Sequence, residues 1–529
     1  MAYIAPNSTI KVCTDVPLNP RQELTLLFPD AATQTAYYTT RTKYNLTAYT
    51  YVRQRPGELR VGRRREDLLD CNYIAFQNTS YGSKWFYAFI NDVEYINNET
   101  SLIRFTMDPM QTYLFDYVLK QCYVEREHSA TDDVGDNLIP ESLELGEYVY
   151  DNSYRTGYLD GKALVIAATF DKFYNDAAGA EIAGLYSGLV FNIFTGSTMY
   201  FDASQFIANA GTKSSGFVSA FYYPPQMIPP AGTGQEDPVY KSIAIPRLNT
   251  GAIYGFTPKN KKLYTFPYNF LYVTNLQGNS ANYRYEFFRQ SAGSNNANFV
   301  LTGDFSPNPS FWLYPQAYKS PLPGITDPYG GNLDEGISIG GWGQIPFATD
   351  TYKAWAAQHG TALITNALSS SLSGLISGGP AGAAASFVGS AGPGVIQETV
   401  QKSVQEFSPT RAMPNQAHGA FSPMSQLAIG VLDFWFYQKH ITPEFAHIID
   451  DYFTRFGYAC HRVKVPNRTA RPKFNYIKTV GCEIEPDPTA GYGLPADDMA
   501  EIERIYDAGV TFWRDTAVVG DYTVNNDPT

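Results

Sequence analysis

The chain is 529 residues long, 44% hydrophobic and 15% aromatic, which excludes global disorder and provides apolar surface for roughly two to four domains. Its formal charge of −12 excludes a protein that wraps nucleic acid through a basic face, since releasing counterions from phosphates takes cations. The same charge is compatible with a conduit whose acidic wall repels DNA.

The N-terminal stretch MAYIAPNSTIKVC lacks a basic segment followed by an apolar core, so no secretory signal is expected. Five cysteines, Cys13, Cys71, Cys122, Cys460 and Cys482, form no CxxC pair and read as reduced, buried thiols. Forty tyrosines and 33 phenylalanines, set among 43 glycines and 34 prolines, predict many short strands with turn punctuation.

From Asn72, the runs NYIAFQN, KWFYAFI, DVEYI and SLIRFTMD predict a four-stranded β-meander with turns at TSYGS and NNET. Asp108 and Pro109 then supply an N-cap and a first-turn proline for one short helix over MQTYLFDYVLK. Between about 128 and 345 the apolar runs ALVIAATF, GLVFNIF, SIAIP and KLYTFPYNFLYVTNL alternate with Pro/Gly-rich loops, predicting β structure with long excursions. Thr442 and Pro443 open an amphipathic helix carrying Phe445, Ile448, Ile449, Tyr452, Phe453 and Phe456, and Gly457 stands at its C′ position. Strands YACHRVKV and KFNYIKTVGCEI follow, then a helix apolar at Ile502, Ile505 and Tyr506 that ends near Gly509. The fold class expected is mainly β with a few helices (α+β).

Signatures of catalysis are weak. GISIG, Gly336 to Gly340, has the spacing of a nucleophile elbow around Ser338, but GWGQIP follows where a helix should start. His440, Glu444 and His447 resemble a metal-ligand run, yet Pro443 begins the helix and leaves His440 off its face. His128 and His461 stand alone. The basic cluster LRVGRRRED, Leu59 to Asp67, suggests a phosphate patch, although Glu66, Asp67 and Asp70 offer salt-bridge partners. No Walker A loop, dinucleotide fingerprint or EF-hand is present. No enzyme activity, cofactor or metal is expected.

The strongest anomaly is Ala354 to Gln397, which contains no Asp, Glu, Lys or Arg. A window of that length in a chain 17% charged would hold about seven. Leu363, Ile364, Ala367, Leu368, Leu372, Leu375 and Ile376 recur with helical spacing, and the opposite face is Ser, Thr and Asn. Gly374, Gly378, Gly382, Ser386, Ser390 and Gly394 fall on a four-residue step that lets helices approach closely in lipid. Pro380 and Pro393 interrupt that register, and the Ser/Gly content is too high for a resident membrane anchor. Three readings stand: a Gly/Ser/Ala linker, a hydrophobic loop sequestered inside an oligomer, or such a loop later released onto a membrane. Absence of charge favours the last two, because each charge at a bilayer centre costs about 3 kcal/mol.

The blocks NYIAFQN, YGSKWFYAF, RFTMDPMQTYLF and REH near the N-terminus carry a family resemblance. So do FTRFGYACHRVKVPN, FNYIKT, IERIYDAGVTFW and DYTVNN near the C-terminus, with a weaker internal stretch LYTFPYNFLYVTNLQGN. In the same order they resemble the distal tail protein, also called tail-knob or major tail protein, of small short-tailed Picovirinae-type podoviruses. Residues 129 to 255 carry no such likeness.

The resemblance implies a virion protein of the distal tail: a homo-oligomer, expected to be a hexamer, adjoining the neighbouring tail tube and lower collar proteins. It implies a β-barrel-like tube domain from residues 1–128 and 420–529, an irregular β-rich knob from 129–345 and a hydrophobic loop from 346–419. Such loops plug the lumen and on infection form a pore in the host membrane, with DNA passing through the lumen without specific binding. The plug residues expected are Leu363, Ile364, Leu368, Leu372, Leu375, Ile376, Phe387, Val388, Val395 and Ile396. The alternative is a host cell-surface binding module whose aromatic middle region contacts glycan, which a row of exposed Trp or Tyr on one face would support. The six tryptophans, at 85, 312, 342, 355, 435 and 513, do not cluster in sequence.

Overall fold

A computed structural model describes residues 7–49, 57–79, 82–168, 180–186, 189–210, 217–229, 239–248, 251–253, 255–288, 295–305, 309–319, 333–339, 432–491 and 493–528. Mostly strand with few helices, the chain divides into two compact units. One joins Met1–Leu145, Phe256–Leu263 and Pro443–Thr529; the other joins Gly146–Gly255 and Tyr264–Thr442.

The first unit opens with β1 (Ser8–Thr14), β2 (Leu24–Leu26), helix α1 (Ala31–Thr40), β3 (Thr42–Tyr49), β4 (Glu58–Val61), β5 (Cys71–Asn78), β6 (Trp85–Asn97) and β7 (Thr100–Met107). Six of these strands form one sheet in the order β3-β1-β5-β6-β7-β4. Its aromatic-rich composition follows from burial on both faces. Tyr73, Tyr87 and Phe89 pack in one core cluster with Trp513, while Ile74, Ala88, Ile103 and Phe105 pack in another.

The meander has three strands here rather than four. KWFYAFI and DVEYI belong to one strand, because Asn91, which separates the two runs, stands at a register shift against β7 between Ile90 and Asp92 and not at a chain reversal. Asn91 Nδ2 donates to Thr106 Oγ1 across that shift (2.6 Å), so its polarity is satisfied within the sheet.

Asp108 caps α2 (Pro109–Thr112), its carboxylate accepting from Gln111 N at 3.1 Å, but the helix stops after one turn. The rest of the expected helix becomes β8 (Tyr117–Leu119), paired with a strand near the C-terminus. Alternating burial of Tyr117 and Leu119 around exposed Val118 and a buried Lys84–Asp116 ion pair hold it extended. Tertiary pairing overrides local propensity there. The strand β9 (Cys122–Glu127) follows.

The second unit carries three four-stranded sheets. Its strands are β10 (Tyr148–Arg155), β11 (Ala163–Ala168), β12 (Ala180–Tyr186), β13 (Leu189–Phe194), β14 (Phe217–Tyr223), β15 (Val239–Pro246), β16 (Asn269–Thr274), β17 (Ser280–Tyr283), β18 (Asn296–Gly303), β19 (Phe311–Pro315), β20 (Ile337–Ile339) and β21 (Trp435–Ile441). The sheet orders are β12-β13-β11-β14, β15-β18-β19-β20 and β10-β21-β16-β17. One continuous core joins all three, and every residue of β11 is buried, as a run of uninterrupted apolar side chains requires. Helix α3 (Met199–Ala210) adds a helix where only strands were expected.

Returning to the first unit, α4 (Pro443–Phe456) is capped by Gly457, whose φ of 63° and N–H bond to the Phe453 carbonyl (2.8 Å) fit a left-handed cap. β22 (Tyr458–Lys464), β23 (Phe474–Val480), β24 (Ile484–Pro486), α5 (Ala496–Ala508) and β25 (Val510–Trp513) complete it. They build the sheet β2-β25-β23-β9-β22 and the pair β24-β8, so strands from both ends of the sequence interleave.

The excursion Phe256–Leu263 is fastened into this unit by buried polar groups. Asp450 of α4 accepts from Lys259 N (3.0 Å), Asn260 N (2.9 Å) and Asn260 Nδ2 (2.9 Å). Glu141 sits between the side chains of Arg126 and Lys262. Burial and the nearby guanidinium pull the Lys262 ammonium down to about 7.

Candidate functional site

All ten expected plug residues, Leu363, Ile364, Leu368, Leu372, Leu375, Ile376, Phe387, Val388, Val395 and Ile396, lie outside the described residues. The two points from which their segment departs and to which it returns are described, and both belong to the second unit. On the departing side, β20 pairs with β19, Ile337 and Ile339 are buried, and the Ser338 carbonyl accepts from Asn275 Nδ2 (2.7 Å). On the returning side, Asp433 is fully buried. Its carboxylate accepts from Thr156 Oγ1, from Gly157 N (2.8 Å) and from Phe434 N (2.8 Å), while Leu432, Phe434 and Phe436 enter the core. Burial raises the Asp433 pKa, and the three donors oppose that shift. Sequence reasoning missed Asp433; a lone acid in the apolar run GVLDFWFY was the available signal.

The weak catalytic signatures resolve into structural roles. Ser338 is the middle residue of a three-residue strand opposite Trp312, not the apex of a strand-to-helix turn. His440 is on β21 and Glu444 and His447 are on α4, so the three never share a helical face. His440 Nε2 lies 3.2 Å from Asp151 and His447 packs on Phe256. Among the described residues no cluster of His, Cys, Asp and Glu could hold a metal ion. His461 packs against Tyr123. All five cysteines are free thiols, four buried and Cys460 half-buried.

In the arginine cluster the expected neighbours are not the partners. Arg64 reaches Glu99 at 3.8 Å, Arg65 Nε donates to the Val93 carbonyl (2.8 Å), and Arg63 lies over the Tyr44 ring. Asp70 pairs instead with Lys43 at 2.7 Å. Strand pairing across the sheet sets these contacts, which adjacency in sequence does not reveal.

A cleft of about 650 Å3 opens in the first unit between Glu127, Asp136, Asn137, Tyr458 and Arg462. Its polar groups are committed: Lys464 pairs with Glu127, and Tyr458 donates to Asp132 at 2.6 Å. Burial raises the Cys460 thiol at its wall, which disfavours a nucleophilic thiolate. Among the described residues no helix is long and apolar enough to cross a membrane.

Residues 237–527 match the family described as "Bacillus phage phi29, Tail knob protein gp9, C-terminal domain", a span of more than half the chain. The chain belongs to the phage tail knob protein family. Residues 6–118 match a second family, the caudoviral major tail protein N-terminus. The tail knob proteins gp9 of Bacillus phages PZA and phi29 are 24% and 23% identical to it, each over 618 aligned positions covering 100% of both chains. In fold it is similar to the tail knob protein gp12 of bacteriophage C1, with a TM-score of 0.62 at 13% identity over 98% of this chain and 99% of that one. As a tail knob protein it is a structural component of the distal tail of the virion. Residues 119–236 lie outside both family matches, which takes in much of the stretch where the sequence carried no resemblance.

Proposed function

We propose that this tail knob protein forms an oligomeric conduit, a hexamer in the family pattern, closed by a hydrophobic plug that is released to open a pore in the host membrane for DNA ejection. Residues 1–128 and 420–529 would form the tube that meets the tail tube and lower collar proteins. Residues 129–345 would form the knob, and 346–419 the plug. The observation that carries the reading is the charge-free stretch Ala354 to Gln397 in a chain that is otherwise 17% charged.

The physical mechanism is an exchange of burial. Copies of Leu363, Ile364, Leu368, Leu372, Leu375, Ile376, Phe387, Val388, Val395 and Ile396 bury against one another in the closed state, at about 25 cal/mol for each Å2 removed from water. A bilayer offers the same side chains comparable burial, so a modest bias from membrane contact or DNA pressure shifts the balance. A segment without charged side chains avoids the insertion cost that each of them would add. An acidic protein lets DNA slide past without counterion-releasing contacts.

Dye release from liposomes across pH tests this. The full protein is expected to cause leakage, and a variant with Ala362 to Gln397 replaced by a short charged linker is expected to cause none. No leakage from assembled rings of either protein, or equal leakage from both, would overturn the pore.

A further inference from the structure

The sheet β10-β21-β16-β17 has two unlike faces. Phe436, Leu271, Val273 and Tyr283 point into the core of the second unit. The opposite face carries an aromatic row built from three strands. Tyr150 of β10 lies 5.2 Å from Tyr437 of β21, and Tyr437 lies 6.2 Å from Tyr272 of β16, measured between ring centroids. Tyr150 is 55% exposed, Tyr148 beside it is 40% exposed, and Tyr437, Tyr272 and Trp435 are half-buried.

The row depends on a register shift in β10. Tyr150 pairs with Lys439 and Ser153 with Tyr437, so two residues, Asp151 and Asn152, stand opposite Gln438 alone. Such a bulge re-aims neighbouring side chains, and here it sets the Tyr150 ring against Tyr437. The row is also charged at one point. Lys439 Nζ stands 4.0 Å above the centroid of the Tyr272 ring, and no carboxylate pairs with it among the described residues. Arg155, near Trp435, is paired with Asp160.

We propose that this face is a binding platform for an acidic polysaccharide. The carbon-bound hydrogens on one side of a pyranose ring are apolar and slightly positive, and they settle on the negative face of an aromatic ring. Tyr437 and Tyr272, tilted by 40° to each other one strand apart, can take consecutive sugars of an extended chain, and Tyr150, set at 73° to Tyr437, flanks them edge to face. Exposed Ser153 and Asn282, which line the row on β10 and β17, offer donors and acceptors for sugar hydroxyls. Lys439 supplies the complement for a carboxylate substituent, and at physiological salt the charge of the rest of the chain is screened within about 8 Å.

Two other occupants fit less well. Single-stranded nucleic acid also stacks on aromatic rows, but it needs a groove of several cations along its backbone, and among the described residues this face has one uncommitted ammonium, Lys439. A second copy of the chain would bury about 800 Å2 per partner around an apolar centre, whereas this row is Tyr and Trp fringed by hydroxyl, amide and ammonium groups. The proposal stands on the second unit alone and does not depend on the plug.

Affinity electrophoresis of the full chain through gels containing polygalacturonate, hyaluronate or dextran, with a labelled oligothymidylate as a separate probe, tests it. Retardation by both polyuronates is expected, at least tenfold tighter than by dextran. Lys439→Gln should reduce uronate binding to the dextran level, and Tyr437→Ala or Tyr150→Ala should abolish it while far-UV circular dichroism is unchanged. The proposal is overturned by no retardation on either polyuronate, by wild-type retardation of the tyrosine variants, or by tighter binding of the oligothymidylate. It is equally overturned if the tyrosine variants change only the sedimentation of the protein with itself.

Discussion

His128 is held between two backbone groups that define its protonation. Its Nδ1 accepts from Tyr476 N at 2.7 Å and its Nε2 donates to the Thr454 carbonyl at 3.1 Å, so the ring is neutral with the proton on Nε2. Burial, with Arg471 and Arg126 nearby, lowers its pKa from 6.5 to about 3. In the unfolded chain the ring takes up a proton near pH 6.5, and in the folded chain it does not until about pH 3. The stability His128 contributes is therefore full above pH 6.5 and is lost progressively as pH falls toward 3, by about 2 kcal/mol at pH 5. Asp108 works in the opposite sense, because burial raises it to about 6, and it gains stability as pH falls below that value. The two are separated by difference. Urea unfolding of the wild type and of His128→Gln at pH 7 and pH 5 should show the gap between them narrowing by about 2 kcal/mol at the lower pH. A gap of constant width would mean that the ring titrates normally.

At the scale of the element, the junction of α4 with β22 rests on Gly457. Its φ is 63°, and an added Cβ would lie 2.3 Å from the Glu127 carbonyl oxygen, a backbone atom of a central strand that cannot step aside. Arg126 donates to the Gly457 carbonyl at 2.6 Å, tying the same junction to β9. Gly457→Ala should cost at least about 2 kcal/mol, combining left-handed strain with the clash, and thermal melting of the variant against wild type would check it. This cap was legible in the sequence because all its signals are local: Thr442 and Pro443 at one end, apolar positions at helical spacing, and glycine at the other. The residues after Thr112 were misread for the converse reason. Their strand partner, Ile484–Pro486, is far along the chain, and no window of sequence shows it. The aromatic row was hidden in the same way, since Tyr150, Tyr272 and Tyr437 meet only through strand pairing. Asn260 and Lys262 left a fainter trace, a basic run KNKK in an acidic protein whose buried partners Asp450 and Glu141 no spacing could have indicated.

For the whole molecule, the contacts at the two ends of the proposed plug decide how independent it is of the fold that carries it. Both flanks of the segment are fixed by contacts of their own: Ile337 and Ile339 by pairing with β19, and Asp433, Phe434 and Phe436 by hydrogen bonds and the core. Replacing residues 346–419 with a Gly/Ser linker leaves each of these described contacts in place. The loop-closure cost changes only with the logarithm of linker length, so it adds less than about 1 kcal/mol. The circular dichroism melt of dilute protein should shift by no more than ~3 °C. If the removed side chains bury against copies of themselves, the same replacement withdraws apolar burial from the assembly alone, and rings should dissociate at higher protein concentration than wild type when counted by mass photometry. A large fall in the melt would show the segment to be part of the fold of the second unit, and an unchanged assembly midpoint would remove mutual burial as the force that closes the conduit.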